Sequence, residues 1–354
     1  MIAPPWVGDL VFTQSLFRLL KQRYLDCRIT VLAAPYLRTL LAKMPEVDRW
    51  LPSPFQSGRF DLKARLSLAF KIRKQGFTDV YLISNSWKSA LMPFLAGIVR
   101  RIGWRGEMRY GLLNDLRIFN RLLLPLMYER FAALAFDRGQ WFKRPLPRPQ
   151  LATSQVELNK VVIKLRLDVT SRPVLAIAVG SAGGECKCWP INHQIVLARH
   201  YLQLGWQVWL LGGASESVKA DRIQQATDWR CVDLTGDTDL GEITELLVLP
   251  KVLVAGDTGL LHLAAAVGTA VVGIYGSTTP MFTPPLTDMG VALWRRDSCS
   301  PCYRKKCVYG DMHCLWGITP QQVITAVEQL LLRQQNARVE RNVPVLSNLS
   351  DEEG

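Results

Sequence analysis

VLVAGDTGLLHLAAAVGTAVVGIY, residues 252–275, is the longest apolar stretch of the chain, and its reading decides the fold. It is long enough to cross a bilayer, but Asp257 and His262 lie near its middle and five glycines interrupt it, counting Gly276. A lipid-facing helix accommodates neither feature well. A buried strand, a short helix of small residues and a second buried strand account for the same letters.

The same alternation extends outward in both directions. Strands are predicted at Ile29–Ala33, Val80–Ile83, Val174–Val179, Gln207–Leu211, Val252–Ala255 and Ala270–Tyr275. Helices are predicted at Leu10–Tyr24, Leu62–Gln75, Ser86–Val99, His193–Gln203, Glu216–Ala226, Leu240–Leu249 and Leu260–Val267. Strands alternating with helices at this spacing form parallel sheets covered on both faces, an α/β architecture. A Pro-rich polar segment, 143–150, precedes the restart of the pattern at Pro173. Two units are therefore expected, 1–160 and 161–335. Thr319, Pro320 and Gln322 form a helix-start signal; the helix is expected to run to about Gln335, with 336–354 a disordered tail.

The 354 residues carry 43 Lys and Arg against 30 Asp and Glu, a net +13. The excess is lopsided: residues 1–150 hold 25 basic and 10 acidic side chains, and the remainder 18 and 20. Such a first half should attract an anion: nucleic acid, acidic lipid head groups or a phosphorylated substrate. The opening Met1–Trp6 lacks the basic start of a secretory signal and meets Asp9 at once, so a cytoplasmic protein is expected, peripheral to a membrane at most.

Ligands of open α/β sheets bind beyond the carboxyl ends of strands, so segments following strands are the candidates for chemistry. Gly8-Asp9 opens the first helix; Asp9 is either a plain cap or a general base facing a cleft. Val179–Pro190 includes Gly180, Ser181 and Lys187, small residues and a cation suited to a diphosphate, although it matches neither a Walker loop nor G-x-G-x-x-G. Asp257-Thr258-Gly259 ends the apolar strand. Its amides could meet phosphate oxygens and its carboxylate sugar hydroxyls, or Asp257 could simply cap the turn with His262 packed on the sheet. Ser277–Thr279 could add polar contacts to the same cleft.

Basic and aromatic residues interleave with glycines over Gly103–Asp115, preceded by Arg101, and Lys88 follows an earlier strand. Arg101, Arg105, Arg109 and Lys88 are candidate contacts to an anionic acceptor, or part of an ordinary solvated basic loop; no nucleic-acid fold signature surrounds them. Cys299, Cys302, Cys307 and Cys314 crowd one loop with the spacing of an all-cysteine structural zinc site, free thiols or an iron–sulfur cluster being the alternatives. Arg304 and Lys305 would offset thiolate charge there.

In combination, Trp6-Val7-Gly8-Asp9, Gly103–Asp115, Lys187-Cys188-Trp189-Pro190 and Asp257-Thr258-Gly259-Leu260-Leu261-His262 resemble glycosyltransferase family 9, the ADP-heptose:lipopolysaccharide heptosyltransferases. Gly103–Asp115 is most similar to the heptosyltransferase II type. The resemblance implies a GT-B fold, two Rossmann-like domains facing across a cleft. Asp9 would be the catalytic base of an inverting transfer. Gly180, Ser181, Lys187, Asp257, Thr258, Gly259 and His262 would hold the ADP-heptose donor. A lipopolysaccharide inner-core acceptor at the inner-membrane surface would meet the basic half, with no cofactor needed for catalysis and no nucleic-acid partner. A different core acceptor, or a non-catalytic anion-binding protein, are the alternatives. One departure stands out: only Met1–Ala3 precede Pro4 where the family has a full strand, so either the strand is very short or the start is placed late, and a frayed strand would loosen Asp9.

Overall fold

The computed structural model describes residues 1–55, 60–140, 142–169 and 172–342. Eleven strands are named here in chain order. The first half contributes β1 (Thr30–Ala33), β2 (Arg49–Pro52), β3 (Asp79–Leu82), β4 (Arg100–Trp104) and β5 (Asp115–Arg117). The second contributes β6 (Val174–Ala178), β7 (Gln207–Leu211), β8 (Val232–Asp233), β9 (Val252–Gly256), β10 (Ala270–Tyr275) and β11 (Gly290–Trp294). Every pairing is parallel.

The second sheet runs β11-β10-β9-β6-β7-β8. From β6 the chain winds outward to β8, then returns beside β6 as β9 and winds the other way. Order therefore reverses between β6 and β9, where Leu175 pairs with Val252. At such a reversal the loops leaving the two strands diverge to opposite faces and leave a crevice above the sheet. The fully buried faces of β6, β7, β9 and β10 explain their unbroken apolar runs.

The first sheet is the same device with a shorter centre. β2-β1 and β3-β4-β5 are joined through Ile2, which bridges Leu32 on one side and Leu82 on the other. Ile2 N–H donates to Tyr81 O at 3.0 Å and Ala3 N–H to Leu32 O at 3.0 Å, while Leu32 N–H donates to Met1 O at 2.9 Å. Three residues thus do the work of a central strand. A very short strand is what is observed, and it is not frayed: the lead-in to the Asp9 helix is bonded on both edges.

That helix, Val7–Arg23, buries Leu10, Phe12, Leu16 and Phe17 in a core shared with Leu261 and Leu263 of the Gly259–Val267 helix. At about 2 kcal/mol for each large side chain removed from water, this shared core ties the halves together. Lys43 and Glu245 add an ion pair between them, and Met127 N–H donates to Phe282 O at 2.9 Å.

Two expectations need correction. The polar stretch before Pro173 contains a helix, Gln155–Lys164, whose buried Leu158 and Val161 stand one turn apart. The last helix starts at Pro320 as predicted, with Gln322 N–H donating to Thr319 Oγ1, but it continues to Asn342. No glycine or proline intervenes before Pro344 to stop it. The rest of the expected tail, 343–354, lies outside the described residues.

Candidate active site

A cleft of about 970 Å³ opens above the β6/β9 reversal, lined by Asp9, Lys187, Asp257 and His262 among others. Its floor follows from the topology. β6 ends into the glycine loop 180–187 and β9 ends at Asp257, so the two loops diverge around one crevice. Gly180, Ser181, Thr258 and Gly259 line it too.

Asp257 is the hub. Lys187 Nζ donates to its Oδ2 at 3.2 Å and to its backbone O at 3.3 Å. His262 Nε2 lies 3.1 Å from Oδ1, and Thr283 Oγ1 donates to Oδ2 at 3.3 Å. Burial by itself would raise this carboxyl, but the His262 hydrogen bond and charge and the Lys187 charge outweigh it and hold the pKa down at about 2. The capping reading fails here, because Thr258 is the N-cap of the helix that follows and Asp257 bonds to none of its first amides. His262 is buried, yet not merely packed: it joins Asp257 to the first helix, its ring 4.5 Å from that of Phe12.

Asp9 approaches from the other half. Trp6 is the N-cap of its helix and Asp9 caps nothing. Its carboxyl is pushed up to about 6, chiefly by burial, with His262 and Lys187 pulling down and Asp257 pushing up. Close approach depends on two absent side chains. A Cβ on Gly259 would lie 2.8 Å from Val7 Cβ, and one on Gly8 would lie 3.0 Å from His262 Cδ2. Glycine at both positions lets two helix N-termini meet head to head.

Residues 65–313 match glycosyltransferase family 9 (heptosyltransferase). The chain belongs to that family. It is 37% identical to lipopolysaccharide heptosyltransferase 2 of Escherichia coli strain K12, over 95% of this chain and 99% of that protein. It is 36% identical to lipooligosaccharide heptosyltransferase 2 of Haemophilus influenzae, over 94% and 99% respectively. The solved structure of Escherichia coli ADP-heptose LPS heptosyltransferase II superposes with a TM-score of 0.84, covering 94% of this chain and 98% of that one at 36% identity. The chain is therefore a glycosyltransferase of the heptosyltransferase family with the GT-B fold.

In this glycosyltransferase the four cations expected at the acceptor do not join Asp9 in the cleft. Arg109 is 1% exposed, and its guanidinium donates to Ser84 O at 2.7 Å, Asn85 Oδ1 at 3.0 Å and Trp104 O. Arg101 Nε donates to Leu112 O at 2.7 Å and Nη1 to Ile98 O at 2.6 Å. Both hold the 98–114 turn in shape. Lys88, half-buried, and the exposed Arg105 have side chains with no hydrogen-bond or ionic partner among the described residues.

The four cysteines reach one cavity of about 310 Å³, together with Cys186 and His313. Among the described residues, however, no three of Cys, His, Asp and Glu are arranged to hold an ion. Cys299 Sγ lies 3.9 Å from His313 Nε2, Cys307 Sγ faces Asp311 and all eight thiols are free. Spacing brought the thiols to one cavity but not to one coordination point, so the expected zinc geometry is not formed. Burial first, then the neighbouring thiols and Asp297, raise Cys314 to about 11.

Other cleft residues escaped the sequence. Glu216 follows β7 and accepts from Gly213 N–H at 2.9 Å; an acid beyond the second strand of a Rossmann unit is a ribose signal that could have been read. Tyr303, Arg304 and Lys305 also line the cleft. Nothing in the spacing of the cysteines announces that their loop turns its cations inward.

Proposed function

We propose that the enzyme transfers a heptosyl residue from ADP-heptose to a heptose of the lipopolysaccharide inner core, by one inverting displacement with Asp9 as the base. The observation that carries this reading is a pair of carboxyls in one cleft held in opposite states. Asp257, down at about 2, stays ionised and can only accept, which suits the hydroxyls of a donor sugar. Asp9, up at about 6, exchanges its proton near neutrality, as a base must. Asp9 takes the proton of the acceptor hydroxyl as its oxygen bonds to the anomeric carbon. The bond from that carbon to the β-phosphate oxygen breaks, and ADP leaves with the electron pair from the opposite face.

The glycine loop Gly180–Lys187 and the Thr258 and Gly259 amides are assigned to the diphosphate, and Glu216 to the ribose. Residues 1–160 are assigned to the acceptor and 161–335 to the donor. Lys88 and Arg105, with no partners of their own, remain candidates for acceptor phosphates. Exposed Met108, Tyr110 and Leu122 in the basic half support operation at the inner-membrane surface. No helix among the described residues is long and apolar enough to cross a membrane. Transfer as written uses only side chains and amides of the chain.

The test is incubation with ADP-heptose and a core lipopolysaccharide truncated after its first heptose, with product read by mass and anomeric configuration by NMR. One added heptose of inverted configuration is expected. No transfer to any heptose-terminated core would overturn the reading.

A further inference from the structure

We infer that Arg304 and Lys305, carried by the cysteine loop, form the second half of a diphosphate clamp facing Lys187, with the Ser277 hydroxyl as a donor beside them. This rests on the ADP-sugar reading of the cleft and names, in Arg304 and Lys305, groups to which neither the family motifs nor the sequence gave such a role.

Charge is the first argument. A departing nucleoside diphosphate gains a negative charge on its terminal phosphate, and Lys187 is already engaged by the Asp257 carboxylate. Apart from Lys187, the lysines and arginines lining the cleft are Arg304 and Lys305, and the side chains of both are exposed and unpaired among the described residues. A guanidinium beside an ammonium is a strong oxyanion partner, and Arg can engage two phosphate oxygens at once.

Geometry is the second. The cysteine loop is stitched to the floor of the cleft: Tyr303 N–H donates to Ser277 O at 2.7 Å, and Ser300 Oγ donates to Gly276 O at 2.6 Å. Ser277 N–H in turn donates to Cys186 O at 3.2 Å, beside Lys187. Lys305 lies directly on the glycine loop. Gly184 has φ +106°, and a Cβ there would come within 2.7 Å of Lys305 O. The two cations are thus fixed at the backbone against the loop assigned to the diphosphate.

Unsatisfied hydroxyls are the third. Ser277 Oγ is buried without a hydrogen-bond partner among the described residues, in a residue only 1% exposed, and Thr258 Oγ1 is orphaned as well, while the Thr278 hydroxyl serves Asp257. Ser277 and Thr258 both line the cleft. Buried hydroxyls left unpaired are costly, and phosphate oxygens would satisfy them.

The experiment titrates the purified full chain by calorimetry with ADP, AMP and adenosine, comparing wild type with Arg304→Ala, Lys305→Ala, the double variant and Arg304→Lys. Each alanine variant should weaken ADP about tenfold and AMP less and leave adenosine unchanged, and Arg304→Lys should retain part of the affinity that Arg304→Ala loses. Retained adenosine affinity reports an intact fold. Unchanged ADP affinity in the double variant overturns the clamp while leaving the ADP-sugar reading intact. Equal losses for ADP and adenosine also overturn it, because the loop would then act only through the fold. Wild type that binds none of the three overturns the ADP-sugar reading and the clamp with it.

Discussion

At the carboxyl ends of β6, β9 and β10, polar side chains are left waiting: among the described residues Thr258 and Ser277 have no side-chain partners, and Arg304 and Lys305 stand free. Across the first sheet most of the charged side chains are already consumed, Lys88 and Arg105 excepted among the described residues. Arg109 and Arg101 bond to carbonyls, Arg100 pairs with Asp115 and Asp137, and Arg117 bonds to Asp115 and to Leu134 O at 3.1 Å. The basic excess lies in the half whose arginines are mostly engaged. Net charge therefore measures long-range attraction, while the residual hydrogen-bonding capacity marks the site.

The sharpest way to break this contrast is Asp9→Asn. Turnover should fall by roughly a thousandfold with ADP affinity retained, measured by product mass and calorimetry. Undiminished turnover would remove Asp9 from the mechanism. Next comes Arg109→Leu, which strands three acceptors and should cost on the order of 3 kcal/mol of stability in urea unfolding. A variant as stable as wild type, but deficient in acceptor binding, would show that Arg109 serves the ligand after all.

The Asp9 carboxyl sets the pH dependence. Because burial raises it to about 6, the base form is lost as pH falls through that value. The rate constant for transfer should drop about tenfold per pH unit below it and level off above. A flat profile between pH 5 and 7 would detach the rate from this group. Lys187→Ala should weaken ADP about tenfold, and also release Asp257, so donor-sugar discrimination should slacken with it. The smallest effect is expected from Lys88→Ala and Arg105→Ala: a rise of about threefold in the acceptor KM at low salt that vanishes at high salt, as befits exposed charges. A loss that persists at high salt would give the first half a built anion site and erase the contrast.

Much of the second sheet was legible. β7 and β10 match the predicted bounds, and the reversal between β6 and β9 gathers the residues singled out around one cleft. Their strands are buried on both faces and read as apolar runs. β4 was missed because it begins Arg100-Arg101, charges tolerable in a strand only when Asp115 and two carbonyls receive them. That pairing is tertiary and leaves no periodic trace. β2 and β11 lie at sheet edges with half-exposed patterns, and Ile2 acts as a strand through bridges alone. The cysteine spacing marked a loop correctly, but not where it packs: that depends on Ser277 and Gly184, about ninety residues apart in sequence.

The paired contacts of Gly8 with His262 and of Gly259 with Val7 work as a fulcrum. At each, one half presents a glycine hydrogen where any other residue would place a carbon, so the span from Asp9 to the glycine loop is set by a thin joint. A methyl group at either position would act as a shim, tilting one sheet against the other and lifting the base away from the sugar it serves.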